Sequence, residues 1–177
     1  MVFVTVGNAT QQFRRLLDAV NRVAEEGAFQ SEEVFIQAGH NPDFQSSRCE
    51  VKQFISMDEF ERLMATASLI ICHGGCTQLN AVRLGRVPVV MARREKYGEH
   101  VNDHQMQLVR ALAAEKKIVP AYEPEDLMAA IAEGRLLNEH PVEMIPSPMI
   151  SLVRQAIEEL AGGNEKRNAK CEMRNAK

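Results

Sequence analysis

Short apolar runs alternate along the chain with longer segments whose apolar residues recur at every third or fourth position. The runs predict strands over 2–6, 34–38, 51–55, 69–72, 87–91 and 117–120, each bounded by glycine, proline or polar residues. The intervening segments predict helices. Phe13, Leu16, Leu17, Val20, Val23 and Ala24 share one helical stripe, with Gly27 as its stop. Ser56 reads as a helix cap, with Glu59 completing a capping box ahead of Phe60, Leu63, Met64 and Ala67. A helix over 77–84 closes at Gly85, and another carries Met106, Leu108, Val109, Leu112 and Ala113. Pro124 opens a helix expected to end near Gly134. Ser147-Pro148 opens a last stripe, Met149, Ile150, Val153, Ile157 and Leu160, running up to Gly162-Gly163.

Strands that are apolar throughout, each followed by an amphipathic helix, predict an α/β fold: a Rossmann-like parallel sheet with helices on both faces. Such sheets bind ligands where strands end and helices begin. The junctions to inspect are Gly7-Asn8, Gly39-His40, Ile55-Ser56, the stretch from Cys72 to Thr77, and the loop after Met91. One domain is expected over 1–161. The remainder, 162–177, lacks an apolar period and repeats "RNAK", so it is expected to be a disordered tail.

Composition narrows the partners. At 177 residues, 45% apolar and 25% charged, the chain has the balance of a globular protein with a core. A net charge of −3 gives no general electrostatic grip on nucleic acid or anionic lipid. No apolar run approaches the length of a bilayer span, and the first residues lack the basic region of a signal peptide. Four cysteines without framework spacing suit reduced thiols, so a cytoplasmic location is expected.

The stretch "IICHGGCTQLNAVRLG", residues 70–85, carries the most chemistry. A strand enters a small-residue turn and leaves as a helix, which gathers free backbone N–H groups and the positive end of a helix dipole. Gly74 and Gly75 leave room for an anion to approach the backbone, and Thr77 adds a hydroxyl. The same glycines would also serve a mere tight turn. A metal reading starts from Cys72, Cys76, His100 and His104, whose spacing matches no usual zinc knuckle. Neither a G-x-x-x-x-G-K-[ST] loop nor a G-x-G-x-x-G follows the first strand, which weakens ATPase and dinucleotide readings. The loop holding Arg93, Arg94, Lys96, Tyr97, His100, Asn102, His104 and Gln105 is either a solvated charged loop or a reader of a phosphorylated, hydroxyl-rich ligand.

Taken in order, "VTVGN", "VFIQAGH", "FISMDEFERLMATASLIICHGG", "NAVRLGRVPVV" and "YGEHVNDHQ" resemble the C-terminal, sugar-nucleotide-binding domain of family 28 glycosyltransferases. The likeness extends over about residues 1 to 133 and is nearest to stand-alone versions that work as one subunit of a two-chain enzyme. It implies one half of a GT-B fold, a UDP-sugar donor, metal-independent inverting transfer without a cofactor, and a membrane-associated partner that carries the acceptor site. It also implies a lipid-linked acceptor in polysaccharide synthesis, and recruitment to the inner face of the membrane by that partner.

Carried over by position, the resemblance puts Gly7 and Asn8 at the first-strand turn and Ile55 against uracil. His73, Gly74, Gly75 and Thr77 fall at the diphosphate turn, and Asn80 at the ribose. His104 and Gln105 fall near the donor sugar and phosphates, and Arg93, Arg94 or Lys96 is expected to supply a basic group for the UDP leaving charge, with Arg93 counted among the donor-binding residues. The turn is one residue shorter than the usual form, so His73 or Cys72 takes its first position. Asn80 replaces a glutamate that grips the ribose hydroxyls, losing a charge-assisted pair. The acceptor's base is expected from the partner, not from these loops. Two alternatives stand beside this reading: a non-catalytic nucleotide-binding subunit, and a small zinc protein.

Overall fold

A computed structural model describes residues 1–139 of the chain. The predicted helix over 147–160 and the tail over 162–177 lie outside the described residues. Six strands form one parallel sheet. They are β1 (Val2–Thr5), β2 (Val34–Gln37), β3 (Glu50–Lys52), β4 (Leu69–His73), β5 (Val89–Met91) and β6 (Val119–Pro120), in the spatial order β3-β2-β1-β4-β5-β6. Their connections carry α1 (Arg14–Glu25), α2 (Met57–Thr66), α3 (Cys76–Arg83) and α4 (His104–Ala114), and α5 (Leu127–Glu139) follows β6. The expected α/β architecture is present.

Period-two alternation assigns each strand residue to one of two cores. Val2, Val4, Leu69, Ile71, Val89 and Met91 face the stripes Leu16, Leu17, Val20 of α1 and Leu127, Ala130, Ile131 of α5. Phe3, Ile70, Cys72 and Val90 face Leu63 and Met64 of α2, Ala81 and Val82 of α3, and Met106 and Val109 of α4. Both faces of the sheet are thus covered, which is why its strands read as continuous apolar runs.

Several element ends shift by a residue or two, and three departures from the sequence expectation bear on the packing. Strand β3 stops at Lys52, and the chain from Gln53 to Ile55 leaves the sheet. Ser56 caps α2 by accepting the Glu59 N–H at 3.1 Å, but the Glu59 carboxylate turns to Lys52 at 3.0 Å, so only half of the capping box forms. Gly134 does not end α5. It is buried within the helix, where a Cβ would stand 2.9 Å from Val89 Cγ2 and 3.2 Å from Leu69 Cδ1. It is a close-packing residue, not a stop signal.

Candidate functional site

The strand order reverses direction between β1 and β4, and the crevice at such a switch point is the natural ligand site of an open parallel sheet. A cleft of about 520 Å³ opens there. Its walls come from four junctions: the turn after β1, the segment entering α2, the β4–α3 turn, and the loop leading into α4.

His73, the last residue of β4, occupies the centre. Its ring is flanked by Gly7 and Gly75. A Cβ on Gly7 would lie 2.5 Å from His73 Cε1, and one on Gly75 would lie 2.5 Å from Nε2. Gly7 also has φ +72°, so both backbone conformation and space require glycine. Burial, reinforced by the nearby Arg93 charge, lowers the His73 pKa to about 4. The ring is therefore neutral at physiological pH, with the Thr5 backbone opposing the shift only in part.

Past His73 the chain turns into α3 with Gly75 as the capping position, and no side chain satisfies the cap. The first N–H groups of α3 thus meet the cleft with the positive end of the helix dipole behind them. Thr77 and Asn80, one turn apart, line the same side. Gly74 plays a different part from the one expected. A Cβ there would meet Val109 Cγ2 at 3.0 Å and Gln105 Cβ at 3.1 Å, so this glycine lets α4 pack against the turn.

Arg93 calls for a correction. The sequence places it among the donor-binding residues, but its side chain is fully enclosed and does not line the cleft. Its guanidinium donates to the carbonyls of Val6 and Gln11, each at 2.8 Å, and of Glu99 at 3.1 Å, and it stacks over Phe13. Burial lowers its pKa to about 10, with Glu99 opposing the shift. The Glu99 carboxylate is bound by Arg15 at 2.8 and 3.0 Å. The carboxylate is thus paired with Arg15, and Arg93, which meets Glu99 only at its backbone carbonyl, forms no ion pair among the described residues, leaving a positive charge buried behind the cleft. Arg93 is a strut between the β1 and β5 loops, and it reaches an anion only through its field. Arg94 and Lys96 are engaged elsewhere, with Glu123 and the Tyr97 ring.

At the start of α4 the expected pair divides. Gln105 lines the cleft, and its Oε1 accepts the Arg93 backbone N–H at 3.1 Å, so its NH2 group is the end left for a ligand. His104 does not line it, and His100 does. Of the predicted positions, Gly7, Asn8, Ile55, His73, Gly75, Thr77, Asn80 and Gln105 converge on one cleft. Thr5, Gln37 and Phe60 also line it and were not expected there, as do Ser56 and His100, which belong to junctions marked in the sequence but were not assigned to the donor. For Thr5 and Gln37 a signal existed, since each is a polar residue at the carboxyl end of an otherwise apolar strand.

The two cysteines nearest the turn differ in their surroundings. Cys72 is fully buried and its thiol is pushed far up by burial, whereas Cys76 is exposed at the cleft. Among the described residues no three His, Cys, Asp or Glu side chains are grouped so as to hold a metal ion.

Comparison with known proteins bears on this geometry. The sequence profile described as the glycosyltransferase family 28 C-terminal domain matches residues 1–160. A search of curated proteins gives no match. Among solved structures, the glycosyltransferase of kitacinnamycin superposes with a TM-score of 0.57 at 18% identity, over 79% of this chain and 35% of its own. The calicheamicin glycosyltransferase CalG4 superposes with a TM-score of 0.51 at 17% identity, over 78% of this chain and 36% of its own. The chain spans about a third of each, and at these identities the likeness is one of fold.

Proposed function

The chain belongs to the glycosyltransferase family 28 C-terminal domain family, and from that premise we propose that it is the donor-binding subunit of a glycosyltransferase using a UDP-sugar. The observation that carries this reading is the convergence of donors, without a carboxylate, on one cleft. The uncapped start of α3, the Gln105 NH2 and the Thr77 hydroxyl face it, with the buried Arg93 charge behind. A pyrophosphate has only acceptor oxygens and negative charge, so it matches such a surface. Ile55 and Phe60, at the far side of the cleft, give the base an apolar wall.

In this reading the acceptor hydroxyl attacks the anomeric carbon from the side opposite the phosphate. The bond from that carbon to the phosphate oxygen breaks, and UDP leaves with inversion. Charge growing on the leaving phosphate is stabilised by the α3 N-terminus without a metal ion. The hydroxyl proton passes to a base outside the donor cleft. We assign that base, and the lipid-linked acceptor, to a membrane-associated partner that completes the GT-B pair. Among the described residues no helix is long and apolar enough to cross a membrane, so in this reading the partner provides the membrane contact.

Titration calorimetry tests the donor site. UDP should bind with the same affinity before and after EDTA treatment, and absence of UDP binding would sink the reading. Sugar transfer is then assayed with the partner added. A second reading, a nucleotide-binding subunit without catalysis, is favoured by Asn80 alone, and an assembled complex that binds UDP yet transfers no sugar would support it.

A further inference from the structure

Beneath the cleft runs a chain of hydrogen bonds whose direction is fixed at both ends. It begins at the Gly7 N–H, which can only donate, and which reaches Thr5 Oγ1 at 3.1 Å. The Thr5 hydroxyl must then direct its own hydrogen onward, to Gln37 Oε1 at 2.5 Å. The Gln37 NH2 in turn faces three oxygens: the Gln53 carbonyl at 3.1 Å, the Gly7 carbonyl at 3.3 Å and Asn8 Oδ1 at 3.3 Å. Two of these are backbone carbonyls, which can only accept. A reversed Gln37 amide would set its oxygen against both of them, so the orientation is determined by the backbone. The same reasoning passes to Asn8, because a reversed Asn8 amide would set NH2 against NH2.

We propose that Gln37 is a positioning residue that locks the Asn8 amide with its oxygen inward and its NH2 toward the cleft, where it donates to a diphosphate oxygen. Gln37 is almost fully buried at the end of β2 and both of its polar ends are satisfied. Rotating it would leave buried groups unpaired, whereas Asn8 is exposed on a turn and has little else to hold it. With Gln105, whose oxygen is taken by the Arg93 N–H, the cleft then presents two amides that both offer NH2. A wall of this kind selects an acceptor-only ligand.

The proposal rests on the UDP-sugar reading, and its test separates the two. Wild type, Asn8→Ala, Gln37→Leu and the double variant are titrated with UDP and with uridine. Each single change should weaken UDP binding on the order of tenfold, the loss of one hydrogen bond to a charged group. The double variant should be no weaker than Asn8→Ala within about twofold, because Gln37 acts through Asn8. Uridine, which lacks the phosphates, should be unaffected throughout. Multiplying losses, or equal losses for uridine, would make Gln37 merely structural and overturn the proposal. Should Gln37→Leu fail to fold, Gln37→Met keeps the length of an uncharged side chain while removing the NH2, and the same losses are expected.

A second measurement needs no ligand. The side-chain NH2 resonances of Asn8, identified by their loss in Asn8→Ala, should shift in the Gln37 variants. Unmoved resonances would refute the lock. Wild-type protein that fails to bind UDP would remove the donor reading and the diphosphate contact together, and the Asn8 resonances would still decide whether Gln37 orients the amide.

Discussion

Asn80 sits on α3 about a turn past the cap, exposed at the cleft rim, where the family resemblance implies a carboxylate on the ribose. A neutral amide offers a diol one donor and one acceptor, whereas a carboxylate accepts from both hydroxyls with charge assistance. Asn80→Glu is therefore expected to tighten UDP and uridine alike, by roughly tenfold, since the added contact is to the sugar and not to the phosphates. Calorimetry with both ligands checks this, and no gain for either, or a gain for UDP alone, would remove the ribose assignment. His73 makes a prediction of the opposite kind. Its pKa is about 4 in the fold against 6.5 for an unperturbed histidine, lowered by burial and then by Arg93. Between those values the unfolded chain binds a proton that the folded chain refuses, so stability falls as pH drops from 6.5 toward 4. Above that window the contribution is complete. Melting temperatures of His73→Asn across the same range should show a flatter slope than wild type.

Most of the elements were legible because the physics that forms them is local. Strands buried on both faces leave apolar runs, and helices packed on one face leave stripes, so Val2 to Thr5 or Leu16 to Val23 could be read directly. What escaped was decided across the sheet. Past the end of β3 the Gln53 carbonyl accepts from the Gly39 N–H at 2.8 Å and from the Gln37 side chain, contacts that the apolar pattern does not show. Arg93 looks like a ligand contact because charge in a loop suggests solvent, yet the loops after β1 and β5 fold around it. His100 and His104 differ only in where α4 begins, with Asp103 at its cap, and spacing does not reveal which ring turns inward. Gly134 was misread for the same reason, since a helical glycine signals a stop unless a neighbouring strand lies against it. Replacing it tests that explanation. Gly134→Ala gains helix propensity of about 1 kcal/mol, but overpacking against Val89 and Leu69 costs about 1–3 kcal/mol. A lower melting temperature is expected, and a higher one would mean that Val89 and Leu69 make room for the methyl and that close packing is not what requires glycine here.

Across the whole sheet, charge is arranged differently at the two ends of the strands. The carboxyl end carries the buried Arg93–Glu99–Arg15 group beside a cleft lined by neutral polar side chains. At the amino end the acid Glu32 is the centre of its cluster. Its carboxylate accepts from the Ser68 hydroxyl at 2.5 Å, from the Met1 ammonium at 3.0 Å, and from Arg135 of α5. These contacts join the starts of β1 and β4 to the loop before β2 and to α5, so one residue links segments distant in sequence. Partial burial alone would raise the Glu32 pKa, but the hydrogen bonds from Ser68 and Arg135 and the ammonium outweigh it and bring it to about 2, from 4.5. A depressed carboxylate stabilises the fold above its unfolded pKa and loses that contribution as pH falls through the folded value. Glu32→Gln should therefore lower the melting temperature at neutral pH, with the gap to wild type narrowing from pH 4.5 and closing near pH 2. UDP affinity should be unchanged in this variant at neutral pH, because the cluster lies at the opposite end of the strands from the cleft. A gap that stayed constant down to pH 2 would mean that Glu32 acts by shape alone and that its charge does not hold these segments together.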